Sequence, residues 1–170
     1  RIRAHIPGVV LRTSFIVGFP GEEEEDFQQL LDFVDEAQID HVGVFRYSQE
    51  EGTTAGTLPN QVPDGVKQER WQRLMERQAV VVRRKNLALI GSEQHVLVCG
   101  HDDRGRLWGR TAGQAPDIDG IVYLSRAAAE IGDIIPVRIQ SATGYDLRAT
   151  PLRTPEIKWE KPIDFADSRL

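Results

Sequence analysis

Two short stretches place glycine, proline and polar residues at the ends of apolar runs, where α/β proteins often bind ligands. The first, IVGFPGE (residues 16–22), carries Gly18 and Gly21, which would let a ligand approach the backbone closely. The second, VFRYS (residues 44–48), places Tyr47 and Ser48 after the next apolar run. Ligands of parallel sheets bind beyond the carboxyl ends of the strands. On the residues alone, an ordinary strand-to-helix turn is favoured for the first stretch, and strand-end polarity explains the second equally well.

A third stretch, GRTAGQAPDIDG (residues 109–120), is a long polar segment that brings Asp117 and Asp119 together among short apolar runs. Carboxylates repel the phosphates of RNA, whose binding depends on Lys and Arg, and they attract a basic protein. Asp and Gly also favour turns, so turn chemistry accounts for the same residues. Both roles are compatible, and the residues alone do not decide between them.

The elements that would position these stretches follow from hydrophobic periodicity. Residues 9–19 form a β-branched run that predicts a strand buried on both faces of a parallel sheet. Apolar residues then recur at helical spacing (Phe27, Leu30, Leu31, Val34 and Ala37), behind an acidic first turn. Residues 41–48 repeat the buried-strand pattern. Strand, helix and strand in about 40 residues indicate a βαβ unit.

The rest of the chain divides by composition. A Gly- and Pro-rich loop at residues 49–65 precedes a long helix from about residue 66 to residue 89, which Gly91 ends. Five short strands with turn signals follow up to residue 150, and they predict a small closed barrel. We expect the tail at residues 151–170 to be extended, with Trp159 as the one residue that docks.

Charge is distributed unevenly around the net value of −5. Residues 1–65 carry a net −8, residues 66–90 a net +5, and residues 91–150 a net −2. The basic helix could be an RNA-binding stripe. We prefer the interpretation that its arginine stems pack while their charges meet the acidic residues 22–26 or solvent.

Cysteine and histidine usage predicts no metal site and no catalytic residue in this chain. The single cysteine, Cys99, fits a small residue on a strand, and the four histidines show no ligand spacing. One cysteine excludes an internal disulfide framework and weakly favours a reducing cytoplasm. No apolar run approaches the ~18 residues of a membrane helix, so no membrane partner is expected. The first residues, RIRAHIPG, indicate a piece of a longer protein.

The order of these stretches resembles the radical S-adenosylmethionine methylthiotransferase family. The resemblance rests on RTSFIVGFPGEEEEDFQQLLDFV, GVFRYSQEEGT and GRTAGQAPDIDGIVYL, and it covers about residues 1–149. Within the family, the chain resembles the type that modifies an aspartate of the small-subunit ribosomal protein S-twelve. The sibling type, which modifies an adenosine of tRNA, typically has Arg-Pro-Gly-Thr where residues 50–53 are Glu-Glu-Gly-Thr, and its TRAM domain lacks the acidic insertion.

The resemblance implies an α/β plus all-β fold. Residues 1–65 would be the C-terminal part of a radical SAM (TIM-like) barrel, residues 66–90 a connecting helix, and residues 91–150 a five-stranded antiparallel TRAM (OB-like) barrel. The resemblance also implies S-adenosylmethionine as cofactor and two 4Fe-4S clusters, whose ligands lie outside this chain. The chain should therefore contain no catalytic residue and be inactive by itself. The candidate cofactor-binding residues, matched by position, are Ile16, Gly18, Phe45, Arg46 and Tyr47. Gly18→Val is expected to weaken cofactor binding without unfolding the protein.

The implied substrate is the basic ribosomal protein, which the TRAM domain would dock through Asp117, Asp119 and Arg110. We expect the full-length enzyme to be monomeric. Two alternatives stay open. One is a tRNA-modifying methylthiotransferase that uses the basic helix with Arg104, Arg106 and Arg110 on RNA. The other is a non-catalytic adaptor that binds ribosomal proteins. A cluster-binding Cys-x-x-x-Cys-x-x-Cys motif in the upstream sequence would exclude the adaptor, and its absence would favour it.

Overall fold

The computed structural model of the chain describes residues 1–125 and 127–152. Within them, short helices and strands precede a barrel. The elements are α1 (Ile2–His5), β1 (Arg12–Val17), α2 (Glu24–Ala37), β2 (His41–Arg46), α3 (Thr54–Thr57), α4 (Asp64–Ala88), β3 (Glu93–His101), β4 (Leu107–Thr111), β5 (Val122–Leu124), β6 (Ile134–Thr143) and β7 (Asp146–Pro151). The expected docking of Trp159 lies outside the described residues, and no described helix is long and apolar enough to cross a membrane.

The predicted βαβ unit is present. Strands β1 and β2 pair in parallel, from Arg12 opposite His41 to Val17 opposite Arg46, and α2 connects them. The acidic run opens α2 through a capping box, in which Glu23 and Asp26 exchange hydrogen bonds with each other's backbone N–H. One face of α2 supplies Phe27, Leu31 and Val34 to the core, as the periodicity predicts.

Only one face of the β1–β2 sheet is covered, so the expectation of a strand buried on both faces is wrong for this chain. Val17 and Val44 are buried in a cluster with residues of α2 and α4. Ile16 and Phe45 are register partners on the other face, and each keeps 59% of its surface exposed. The described residues contain no third strand or helix that packs on that face. The apolar residues on both faces of β1 and β2 are typical of a sheet that is covered on both sides.

Helix α4 lies against the covered face and continues to the barrel. It begins at Asp64, two residues before the predicted start, because the carbonyl of Pro63 accepts hydrogen bonds from the N–H groups of Val66 and Lys67. Its 25 residues correspond to a length of about 37 Å. Leu74 and Val81 are buried with the sheet. Gly91, with a φ of +85°, ends the helical segment as predicted.

The five strands after α4 close into a barrel in the order β3-β4-β5-β7-β6, which confirms the predicted five-stranded fold. The barrel is mixed instead of wholly antiparallel, because β5 and β7 pair in parallel. Strand directions cannot alternate around a closed ring with an odd number of members, so at least one neighbouring pair must be parallel. The interior holds ten buried apolar residues: Val96, Val98, Leu107, Val122, Leu124, Ile135, Val137, Ile139, Leu147 and Ala149.

Neighbouring isoleucines of β6 test the importance of this interior. Ile135 is 1% exposed and Ile134 is 46% exposed. We expect Ile135→Ala to lower the free energy of unfolding by about 2–5 kcal/mol, because it removes buried methyl groups and leaves a cavity. The matched change Ile134→Ala should cost less than about 1 kcal/mol. Urea denaturation of both variants measures the difference, and equal losses would contradict this assignment of the core.

Candidate functional site

The carboxyl ends of β1 and β2 bring the first two sequence stretches together, as the parallel sheet predicts. Gly18 follows β1 and Tyr47 follows β2. The N–H of Tyr47 donates to the carbonyl of Val17 at 2.9 Å, so the two segments are adjacent. We call this edge, made of residues 16–19 and 45–48, the carboxyl rim. It is the end of a parallel sheet at which ligands bind.

The candidate side chains of the rim lie on two faces. Ile16 and Phe45 form an exposed apolar strip on the uncovered face of the sheet. Arg46 points the other way, since its Nη1 donates to Oε1 of Gln68 on α4 at 2.9 Å. The strip can pack against a planar apolar group, whereas the Arg46 side chain is engaged with the helix.

Gly18 is required by packing within the protein. Its φ is +77°, and a β-carbon added there would overlap Cγ of Lys67. Its N–H donates to both carboxylate oxygens of Glu22 at 3.0 Å. Arg70, which is 5% exposed, donates to Oε1 of Glu22 at 2.7 Å and to its carbonyl at 3.1 Å. Helix α4 therefore fixes this turn.

Tyr47 borders a cleft of about 760 Å³ between the end of β2 and the start of α4. Its ring packs edge-on against Phe19 with centroids 5.4 Å apart, and Nζ of Lys67 lies 5.4 Å from its centroid. The Tyr47 hydroxyl is buried and has no hydrogen-bond partner among the described residues. A buried hydroxyl without a partner is unfavourable. The Tyr47 residue thus lines the cleft, whereas its hydroxyl is buried and unsatisfied.

The acidic stretch forms a loop, residues 112–120, which we call the docking loop. Asp117 is exposed and has a φ of +62°. Asp119 turns inward, with only 5% of its side chain exposed. The interpretation that the two carboxylates are presented side by side therefore does not hold. Arg110 is half-buried and donates to the carbonyl of Gln114 at 3.3 Å.

Asp119 joins the docking loop to the amino end of the β1–β2 sheet. Its carboxylate forms an ion pair with Arg12 and lies 3.0 Å from Nδ1 of His41, and it accepts the N–H of Ala115 at 2.6 Å. Arg12 is thus at the opposite end of β1 from the carboxyl rim, as expected. The barrel is attached at the end of the sheet away from Gly18 and Tyr47.

Asp40 forms a second polar connection at the amino end. It pairs with Lys85 of α4 and with Arg3 at 3.1 Å, and it accepts the N–H of Leu11 at 2.9 Å. Burial raises the pKa of Asp40, but the Leu11 hydrogen bond and the two cations outweigh burial and hold the pKa below its ordinary value of 3.8. No pattern in the sequence indicates this role, because Lys85 is 45 residues away along the chain.

Most charges of the basic helix are paired within the protein, in agreement with the preferred interpretation. Arg70 and Arg73 bind Glu24, at 3.6 and 2.8 Å, and Arg77 binds Asp35 at 3.2 Å. The hydrogen bond from Arg73 lowers the pKa of Glu24. These pairs join α4 to α2.

The barrel carries fewer free cations than its sequence suggests. Arg106 binds Asp102 through Nε at 2.7 Å and Nη2 at 2.6 Å, and its guanidinium lies 4.6 Å from the Tyr123 ring centroid. This hydrogen bond lowers the pKa of Asp102.

Cys99 is half-buried and its Sγ lies 3.4 Å from the carbonyl of Leu97. Among the described residues, no group of three or more His, Cys, Asp or Glu side chains could hold a metal ion.

Comparison with known proteins relates both halves of the chain to one group of enzymes. The TRAM domain family matches residues 90–152. The chain is 52% identical over 149 residues to each of two relatives named ribosomal protein uS12 methylthiotransferase RimO, from Syntrophotalea carbinolica and Geobacter sulfurreducens, covering 86% of the chain. The RimO of Synechococcus is 49% identical over 157 residues, or 92% of the chain. The chain spans about a third (33%) of the length of these relatives.

Gly18 provides a test of the packing at the carboxyl rim. We expect Gly18→Val to destabilise the protein by about 2–4 kcal/mol, because the new side chain combines a strained φ with overlap on Lys67. This prediction differs from the sequence-based expectation, made for the full enzyme, that the variant stays folded and loses only cofactor affinity. Gly21→Ala is the matched control, since Gly21 has a φ of +85° and open space around its β-carbon position. Thermal melting of both should show the larger loss for Gly18→Val; similar losses would contradict the Lys67 contact.

Asp40 predicts a pH dependence of stability. Its pKa is lower in the folded protein than in the unfolded chain, so it stabilises the fold above pH ~4, and that contribution is lost as the pH falls below 3.8. Asp40→Asn should lower stability at pH 7 and flatten the decline between about pH 4 and pH 2. Urea unfolding across this range measures both effects. An unchanged acid limb in the variant would show that Asp40 does not carry the dependence.

Proposed function

We propose that the chain is the C-terminal portion of a methylthiotransferase of the RimO type, an enzyme that adds a methylthio group to an aspartate of ribosomal protein uS12. The observation that carries the proposal is the identity of about 50% to RimO proteins across both the sheet and the TRAM domain. We expect it to act in the cytoplasm, with the rest of the enzyme supplying the remainder of the radical SAM barrel.

The carboxyl rim has features that fit S-adenosylmethionine. When bound, this cofactor would supply the radical chemistry and the methyl group of the reaction. Ile16 and Phe45 would pack on its adenine, and the backbone of residues 45–47 would lie along its edge. The unpartnered Tyr47 hydroxyl is available to a polar atom of the ligand. Gly18 acts through the turn that Glu22 and Arg70 hold in place.

The described residues contain no set of side chains that could bind the iron–sulfur clusters of this chemistry. The sequence has one cysteine, and it lies on β3 of the barrel, at the other end of α4 from the rim. In cofactor enzymes the bound group supplies the reactivity, and the protein supplies binding and orientation. The contribution proposed for this chain is therefore to bind and orient S-adenosylmethionine at the rim.

The TRAM domain would dock the substrate protein. Ribosomal proteins that bind RNA are strongly basic, and residues 91–150 carry a net charge of −2. Acidic surface raises the association rate of a basic partner and lowers that of RNA. Asp117 and Arg110 remain the candidate contact residues, while Asp119 holds the docking loop. The alternative, tRNA, is less favoured because four of the eight arginines proposed to bind it (Arg70, Arg73, Arg77 and Arg106) form ion pairs within the protein.

Binding of this chain to two partners tests the proposal. We expect it to bind purified uS12, with affinity that falls between low and moderate salt, and to bind a tRNA anticodon stem-loop at least about tenfold more weakly. Isothermal titration calorimetry at two salt concentrations measures both affinities. Asp117→Asn should weaken binding to uS12 at low salt. Binding to the stem-loop alone would replace the proposed substrate with tRNA.

A further inference from the structure

We propose that the tip of the docking loop, Pro116, Asp117 and Ile118, is a preformed docking surface that recognises an apolar patch flanked by positive charge on a basic protein. The inference rests on the proposed function, because it takes the partner to be the protein substrate. It goes further by assigning the central contact to an apolar side chain, whereas the acidic residues alone suggested charge attraction.

The base of the docking loop is held by buried polar contacts. Gln114 is 9% exposed; its Oε1 accepts the N–H of Thr111 at 2.8 Å, and its Nε2 donates to the carbonyl of Gly120 at 2.6 Å. The Asp119 carboxylate binds the N–H of Ala115 within the loop and Arg12 of the sheet. Both ends of the loop are therefore fixed before any partner binds.

The tip points away from the protein. Ile118 is 76% exposed, the highest value for a large apolar residue in the described part of the chain. Asp117, beside it, adopts a left-handed φ of +62°, a conformation that aspartate tolerates better than most residues with a β-carbon. A single exposed apolar residue on a surface is ordinary. Here it stands at the tip of a loop whose base is immobilised, so binding would order few additional groups.

The charge of the tip selects the partner. Within the described residues, Asp117 forms no ion pair, whereas Arg12 and His41 offset the charge of Asp119. The tip therefore presents one free carboxylate next to one apolar side chain. A basic protein that exposes an apolar pocket matches both features. RNA matches neither, because its phosphates repel Asp117 and an isoleucine offers no stacking surface for a base.

Matched substitutions in this chain test the surface. With purified uS12 as the probe, we expect Ile118→Ser to raise the Kd by at least about tenfold. The control Ile131→Ser, at a residue 61% exposed elsewhere on the barrel, should change the Kd less than about twofold. Asp117→Asn should raise the Kd about threefold at low salt and have little effect at high salt, whereas the effect of Ile118→Ser should persist. Asp103→Asn, at another exposed carboxylate, is the charge control.

Three results would overturn the proposal: an unchanged Kd for Ile118→Ser, equal effects of Ile118→Ser and Ile131→Ser, or loss of the Ile118 effect at high salt. Circular dichroism melts exclude unfolding as the cause, since Ile118 contributes little buried surface. Failure of the proposed function is distinguishable, because unsubstituted protein would then not bind uS12. Competition by the tRNA stem-loop for the same tip would assign the surface to RNA and reject the protein partner.

Discussion

Buried polar groups need partners, and helix α4 makes several such contacts at successive levels of the β1–β2 unit, although Nε of Arg70 and Oε1 of Gln78 have no partner among the described residues. Near its start, Arg70 binds Glu22, and the Trp71 indole N–H donates to the carbonyl of Val44 at 2.9 Å. Just beyond the middle, the buried Gln78 donates to the carbonyl of Ile39 at 3.1 Å. Near the end, Lys85 meets Asp40. Because removing one partner leaves the other buried and unpaired, these contacts fix both the position and the register of the helix.

The same helix determines how the two halves are arranged. Its first turns touch the carboxyl rim through Lys67, and its last turn leads into the barrel at the amino end of the sheet. The candidate cofactor segments and the docking loop therefore lie at opposite ends of the β1–β2 sheet. The ion pair between Asp119 and Arg12 closes this arrangement from the side of the barrel. A partner held by the loop would have to be large, or extended, to reach the rim.

Hydrophobic periodicity predicted the helices and strands well, because a helix buries every third or fourth residue and a half-buried strand every second one. The strands, α2, α4 and the five-stranded barrel all follow from spacing that one segment carries by itself. The parallel β5–β7 pair and the exposed faces of Ile16 and Phe45 did not follow, since they depend on how distant segments meet. The same limit applies to the site: the sequence brought Gly18 and Tyr47 to one rim, but it could not show that Lys67 fills the space beside Gly18. Nor could it show that one of two neighbouring aspartates turns inward.

The docking loop divides its residues into those that the backbone dictates and those that it leaves open. A β-carbon on Gly120 would overlap the carbonyl of Tyr145, and Gln114 and Asp119 have their polar atoms committed. The tip residues, Pro116, Asp117 and Ile118, are exposed. Substitutions of Ile118 should therefore cost little folding free energy, whereas the φ of +62° at Asp117 favours Asp, Asn or Gly there, so binding preference is most freely changed at position 118.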